Sequence, residues 1–247
     1  MFFCSMARRP FLILAFMLSL AFYSYAEGVV VADKSKNIVD TNNKEAVLVW
    51  QSPWLAVPAV SFTVGTTPLW LDVAYRQNRV IRENVQMMRR NTFDFRPLHF
   101  DNYTQYLPML TVHILDWSGV PSRHSGWTLA RRSLGAIAIS SAIVHTIKFF
   151  VDEQRPDRSS LTSFPSGHTA FSFAGAEMLR LEYGHVSPLI PVAGYVVASL
   201  TGFMRIYNDK HWCGDVLAGM ALGIVCADFS YWINDLLDPL FCSKQHR

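Results

Sequence analysis

The sequence predicts an all-α protein, a helical bundle with several membrane-embedded helices. Uncharged apolar runs of helical length recur, notably Ser133–Ile147 and Val186–Met204, the latter nineteen residues without a charge. No segment shows the strict apolar–polar alternation of a strand, and no internal repeat is visible. The polar residues gather in three islands at the ends of the apolar runs. These are Lys148–Pro156, Ser163–His168 and Arg205–Asp215.

The totals agree with that class. The chain has 247 residues, of which 51% are apolar and 17% charged, and its mean hydropathy is +0.17. That is ample for a core and low for a chain wholly immersed in lipid. The formal charge of +3 comes without a polybasic block, so no nucleic-acid partner is expected. Cys4, Cys213, Cys226 and Cys242 show neither CxxC nor metal-ligand spacing. Cys213 and Cys226 fall on one predicted helix, too far apart in rise to bridge.

Four segments are expected. Residues 1–26 read as a signal peptide: Arg8 and Arg9 precede the apolar run Pro10–Phe22, and Ser24-Tyr25-Ala26 offers small residues for cleavage. An uncleaved anchor is the alternative, and either delivers the rest outside the cytoplasm. Residues 27–49 form a polar linker without period. Residues 50–100 form a proline- and arginine-rich extension, in which Pro53, Pro58 and Pro68 interrupt an uncharged stretch and argue against a straight span. Its arginines Arg76, Arg79 and Arg82 recur at helical spacing. They read as a solvated face, or as a basic surface that meets anionic headgroups. Residues 101–240 form the bundle.

Within the bundle, Tyr103–Leu115 is predicted as a helix capped by Asp101 and kinked at Pro108. A turn follows over Asp116–Arg132, then helices over Ser133–Val151, Ser166–Tyr183, Val186–Met204 and Trp212–Leu237. Small residues at Ala193, Gly194 and Ala198, and at Ala218, Gly219, Ala221 and Gly223, would permit close helix contact. If the last four helices alternate in direction, all three islands share one side. Arg123, Arg131, Arg132, Arg180, Lys244 and Arg247 then collect on the other, as the positive-inside bias requires.

The islands carry phosphoryl chemistry. Pro165 sets φ, Ser166 can cap the next helix, and Gly167 lets a ligand approach free N–H groups at a helix start. His168 in that first turn resists protonation until an anion binds, and can then act as general acid. His211 and Asp215 are four apart, so the carboxylate can fix the imidazole tautomer and leave the other nitrogen nucleophilic. Lys148, Arg155 and Arg205 supply fixed positive charge for a group whose charge spreads over three oxygens. Alone, each island is an ordinary helix start, ion pair or interfacial anchor. Their joint order and spacing point to a phosphotransfer site.

Lys148-x6-Arg155-Pro156, Pro165-Ser166-Gly167-His168 and Arg205-x5-His211-x3-Asp215 together resemble the signature of the phosphatidic acid phosphatase type 2 / vanadium haloperoxidase superfamily. The match departs at Met204, where the family usually has Ser before the arginine. The resemblance implies a bundle of the acid phosphatase/vanadium haloperoxidase type, working without metal or cofactor. It implies that His211 forms a phosphohistidine with Asp215 orienting it. His168 would protonate the leaving oxygen and then activate water. Lys148, Arg155, Arg205, Ser166 and Gly167 would hold the phosphoryl oxygens. The expected substrate is an envelope lipid phosphomonoester or pyrophosphate of the lipid A, phosphatidylglycerol phosphate or undecaprenyl pyrophosphate type. The enzyme would sit at the bacterial inner membrane with its site facing the periplasm. The alternatives are a soluble periplasmic nonspecific acid phosphatase and, more remotely, a vanadium-dependent haloperoxidase.

Overall fold

The computed structural model describes residues 79–93 and 98–242. The expectations for the signal peptide, the polar linker and the proline-rich stretch lie outside the described residues, as do Arg76, Arg96, Lys244 and Arg247. Among the described residues the protein is all-α, with seven helices: α1 (Arg79–Thr92), α2 (Asp101–Thr104), α3 (Leu107–Trp117), α4 (Gly126–Phe150), α5 (Gly167–Tyr183), α6 (Leu189–Tyr207) and α7 (Cys213–Cys242).

Helix α5 is the centre of the bundle and packs against α7, α6, α3 and α4. Close approach is possible because small residues line the contacts. A Cβ on Gly219 would stand 2.5 Å from the Ser166 carbonyl oxygen, and one on Gly223 would overlap that of Ala170. On the other flank Gly194 lies against Ala176 and Leu179. The predicted small-residue seams therefore bring α7 and α6 onto α5. Val112, Leu129, Ala174, Met178 and Tyr183 fill the core between α3, α4 and α5, and Tyr183 Oη donates to the Val112 carbonyl at 2.7 Å. Cys213 and Cys226 share α7 as free thiols.

The last four helices do alternate in direction. The Ser166 N–H donates to the Asp215 carbonyl at 3.0 Å and the Asp157 N–H to that of Asp209 at 3.1 Å, so the three islands meet at one end. At the opposite end the Arg123 N–H reaches the Glu182 carbonyl at 3.3 Å. There Arg132, fully buried, lies between Asp235 at 2.7 Å and Asp238 at 2.6 Å.

Three expectations need correction. Asp101 caps nothing: it starts α2 behind Phe100 and is buried in ion pairing with Arg205. Pro108 does not kink a helix either. It sits in the first turn of α3, where its missing N–H has no helical partner to lose. The chain breaks at residues 105–106, and the eleven residues of α3 reach only about 16 Å, half a hydrocarbon core. Lastly, α4 begins at Gly126 and takes in the second half of the predicted turn, with Arg131 and Arg132 paired to the Asp238 carboxylate.

Helices α4, α6 and α7 are long and apolar enough to cross a membrane. Of their most apolar windows only 22%, 33% and 50% is buried within the protein. Leu134, Leu189, Val196, Leu200 and Leu236 all point outward. A water-soluble bundle would turn these faces inward. Exposed Trp117 and Trp127 mark one end of the bundle and exposed Tyr103 the other, the amphipathic rings expected at two interfaces.

Candidate active site

Four helix ends and two loops converge at the island end. Helix α4 delivers Lys148 in its last turn, and the Nζ donates to the Thr162 carbonyl at 2.5 Å and toward that of Ser163 at 3.5 Å. An ammonium has three donors, so one remains for a ligand. The loop between α4 and α5 closes on itself through Arg155 N–H to Ser160 carbonyl (3.0 Å) and Ser163 N–H to Glu153 carbonyl (2.9 Å). This presents the Arg155 side chain, whose Nε–H is buried without a hydrogen-bond partner.

Ser166 is the N-cap of α5, and its Oγ accepts from the Thr169 N–H at 3.5 Å and pairs with Thr169 Oγ1 at 2.8 Å. Its hydroxyl is fully buried and engaged in that cap. The anion donors of this turn are therefore the Gly167 and His168 N–H groups, which a helix start leaves without intrahelical partners. A Cβ on Gly167 would make only ordinary contact with Val144, at 3.5 Å. Protein packing does not demand glycine here, which leaves the space above its backbone as the reason for it.

His168 Nε2 lies 3.1 Å from Asn102 Oδ1. Burial and then the nearby Arg205 guanidinium push its ring down to about 4, against the opposing pull of Asp101. Arg205 ends α6, almost entirely buried, with Nη1 on Asp101 and an unpartnered Nε–H. The chain then reverses at Asn208 and Asp209, the latter at a φ of +55° that aspartate tolerates better than most residues.

His211 stands in this turn, not on the helix that follows it. Its Nδ1 faces Asp215 Oδ2 at 3.4 Å, an ion-pair separation that falls short of a hydrogen bond. Burial lowers the imidazole to about 4 despite Asp215. The Asp215 Oδ2 also caps α7 through the Trp212 N–H at 2.9 Å and accepts from Ser163 Oγ. Lys148 lies within electrostatic reach of Arg155, Arg205 and Asp215, and His168 within that of Arg155, Arg205 and His211. The structure thus gathers every predicted site residue at one end, with Ser166 turned to capping.

A profile of the PAP2 superfamily matches residues 129–237, which span all three islands. Through this segment the chain is similar to the PAP2 superfamily. A lipid A 1-phosphatase of Porphyromonas gingivalis is 38% identical over 163 residues, 64% of this chain and 36% of that protein. Lipid phosphate phosphatase 2 of Arabidopsis thaliana is 39% identical over 80 residues, 28% of each chain. The chain thus spans about a third of the length of these relatives. The crystal structure of a transmembrane PAP2-type phosphatidylglycerolphosphate phosphatase from Bacillus subtilis has the same fold. It aligns with a TM-score of 0.50 at 18% identity, over 77% of this chain and 98% of its own.

Several residues around the PAP2 signature were not anticipated. Ser163 belongs to the second island, and its hydroxyl before Phe-Pro-Ser was the available signal. Helix α1 lies outside the matched segment, and Arg82 on it is buried, against the solvated-face reading. Arg82, Gln86 and Arg89 share one helical face, and that face is buried. Arg82 pairs with Glu153 and stacks 4.8 Å over the Trp212 ring. Gln86 Nε2 donates to the His211 carbonyl at 3.2 Å, and Arg89 pairs with Asp209. The helix ties the first island to the third. Arg90, half exposed, reaches Asp209 only at 3.6 Å. Arg89→Ala should therefore lower the unfolding free energy in detergent micelles by about 3 kcal/mol, the cost of stranding a buried partner. Arg90→Ala should cost less than about 1 kcal/mol. Equal losses would return α1 to the surface.

Proposed function

We propose that the protein is a lipid phosphatase that works through a phosphohistidine. The observation that carries this reading is a buried, neutral His211 whose Nδ1 faces Asp215, beside two guanidiniums whose Nε–H groups have no protein partner. A phosphoryl group would satisfy those donors together with the third Lys148 proton and the Gly167 and His168 N–H groups. With Nδ1 turned to Asp215, the nucleophile is Nε2. Its lone pair forms the N–P bond as the bond from phosphorus to the ester oxygen breaks. His168 gives a proton to that oxygen, then takes one from the water that cleaves the N–P bond, which restores both imidazoles. In the empty site His168 is neutral at pH 7, and the charge of the bound phosphate draws the proton it needs.

The outward apolar faces of α4, α6 and α7 favour a lipid substrate taken from a bilayer over a soluble phosphate ester. The lipid A 1-phosphatase among the relatives supports a phosphorylated envelope lipid, and the island end would then face the periplasm. Phosphate release from lipid A, phosphatidylglycerol phosphate, undecaprenyl pyrophosphate and p-nitrophenyl phosphate should favour one lipid by at least about tenfold in kcat/KM. A preference for the soluble aryl ester would defeat the lipid assignment.

Mechanistic roles separate with an aryl phosphate, whose leaving group needs no proton. His168→Ala should release one equivalent of nitrophenol quickly and then stall, with an acid-labile phosphate on the protein. His211→Ala should give neither burst nor label, and retained turnover in that variant would exclude His211 as nucleophile. The acid limb supplies a further check. Protonation removes the His211 lone pair, so kcat/KM, corrected for substrate ionisation, should hold to about pH 5 and fall as pH drops through about 4. A limb near the ordinary histidine value of about 6.5 would contradict a desolvated nucleophile.

A further inference from the structure

Two consecutive residues of α2, Asp101 and Asn102, lie outside the PAP2-matched segment and touch the site from across its mouth. Asp101 is fully buried and doubly engaged. Its Oδ2 accepts from Arg205 Nη1, and its Oδ1 accepts from Asn208 Nδ2 at 3.0 Å. The Asn208 amide in turn brackets Leu98, accepting from its N–H at 3.1 Å and donating to its carbonyl at 2.7 Å. Helix α2 is thereby pinned to the end of α6, so the placement of the next side chain is built in. That side chain is Asn102, whose Oδ1 meets His168 Nε2 at 3.1 Å.

We infer that Asn102 is a positioning residue for the acid–base function of His168, held in place by the Asp101–Arg205 pair. The inference rests on the phosphatase reading above. An amide oxygen can only accept, so the contact fixes a proton on Nε2 and turns the ring by a single constraint. When the ring gains its second proton, the same oxygen stabilises the cation. The other charges that bear on His168 are Arg205 from α6, Asp101 from α2, Arg155 from the α4–α5 loop and His211 from the turn before α7. Three of these four oppose or would oppose its protonation, which leaves Asn102 and Asp101 as the protein groups that favour it.

The test uses leaving-group dependence, which a loss of general stability would not change. Full-length protein in detergent micelles is assayed on phosphatidic acid, a poor alkoxide leaving group, and on p-nitrophenyl phosphate, a good one. Asn102→Leu should lower kcat on phosphatidic acid by at least about tenfold, a fraction of what a general acid contributes. On the aryl ester the nitrophenol burst, which needs no proton from His168, should slow by no more than about threefold. Asn102→Asp keeps an acceptor oxygen and should recover most of the phosphatidic acid rate. It should also move the pH limb that belongs to His168 upward, since it adds a negative charge. Equal losses on both substrates, no loss on either, or no recovery in Asn102→Asp would overturn the inference while leaving the phosphatase intact. Wild-type protein that releases phosphate from neither of these compounds nor from the three envelope lipids overturns the functional reading, and this one with it.

Discussion

The Asp215 carboxylate is the point on which the site depends. One oxygen serves three neighbours: it caps α7 at Trp212, accepts from Ser163 in the preceding loop, and faces the Nδ1 of His211. The backbone carbonyl of the same residue accepts from Ser166, the cap of α5. A single residue therefore fixes the start of two helices and the orientation of the imidazole between them. The α4–α5 loop is locked to this hub through Lys210 Nζ on Asp157 at 2.6 Å and Trp212 Nε1 on the Gln154 carbonyl at 2.8 Å. The geometry is set before any ligand arrives, as electrostatic catalysis requires.

Charge is divided by kind within this frame. The guanidiniums of Arg155 and Arg205 stay cationic, whereas both imidazoles are buried enough to stay neutral before an anion binds. Asp157, held at about 2 by Lys210 and Ser159 against the effect of its burial, remains an anion throughout. The site thus keeps its proton-carrying groups separate from its charge-carrying ones, and only an incoming anion couples the two.

Much of this was legible from the chain. The order and spacing of the islands, the small residues of α6 and α7, and the alternating directions of the last four helices are local or periodic properties, and each is present in the structure. What was missed is tertiary. An arginine stripe such as Arg82 and Arg89 reads as solvated because burial of arginine requires acids, and Glu153 and Asp209 come from loops far along the chain. Asp101 looks like a cap because nothing nearby announces Arg205. The four-residue spacing of His211 and Asp215 suits a helical turn, yet the left-handed Asp209 and the Asp215 cap put His211 in the turn before the helix. Pattern reveals which residues gather, and long-range pairing decides how they are held.

The central helix α5 carries Glu177, Arg180 and Glu182, the first and last fully buried. Glu177 is bound by Arg180 and by the Tyr195 hydroxyl of α6, and Glu182 by His124 and the Tyr231 hydroxyl of α7. The axis of the bundle therefore buries two carboxylates within an otherwise apolar core, and the rim is greasy as well. Such an axis has a consequence for biogenesis. Alone in lipid, α5 would expose two carboxylates at high cost, so it is stable there only as the neighbours that supply Tyr195 and Tyr231 arrive. Assembly is then concerted around α5, because the helix that starts at the Pro-Ser-Gly-His turn is also the one that cannot stand by itself.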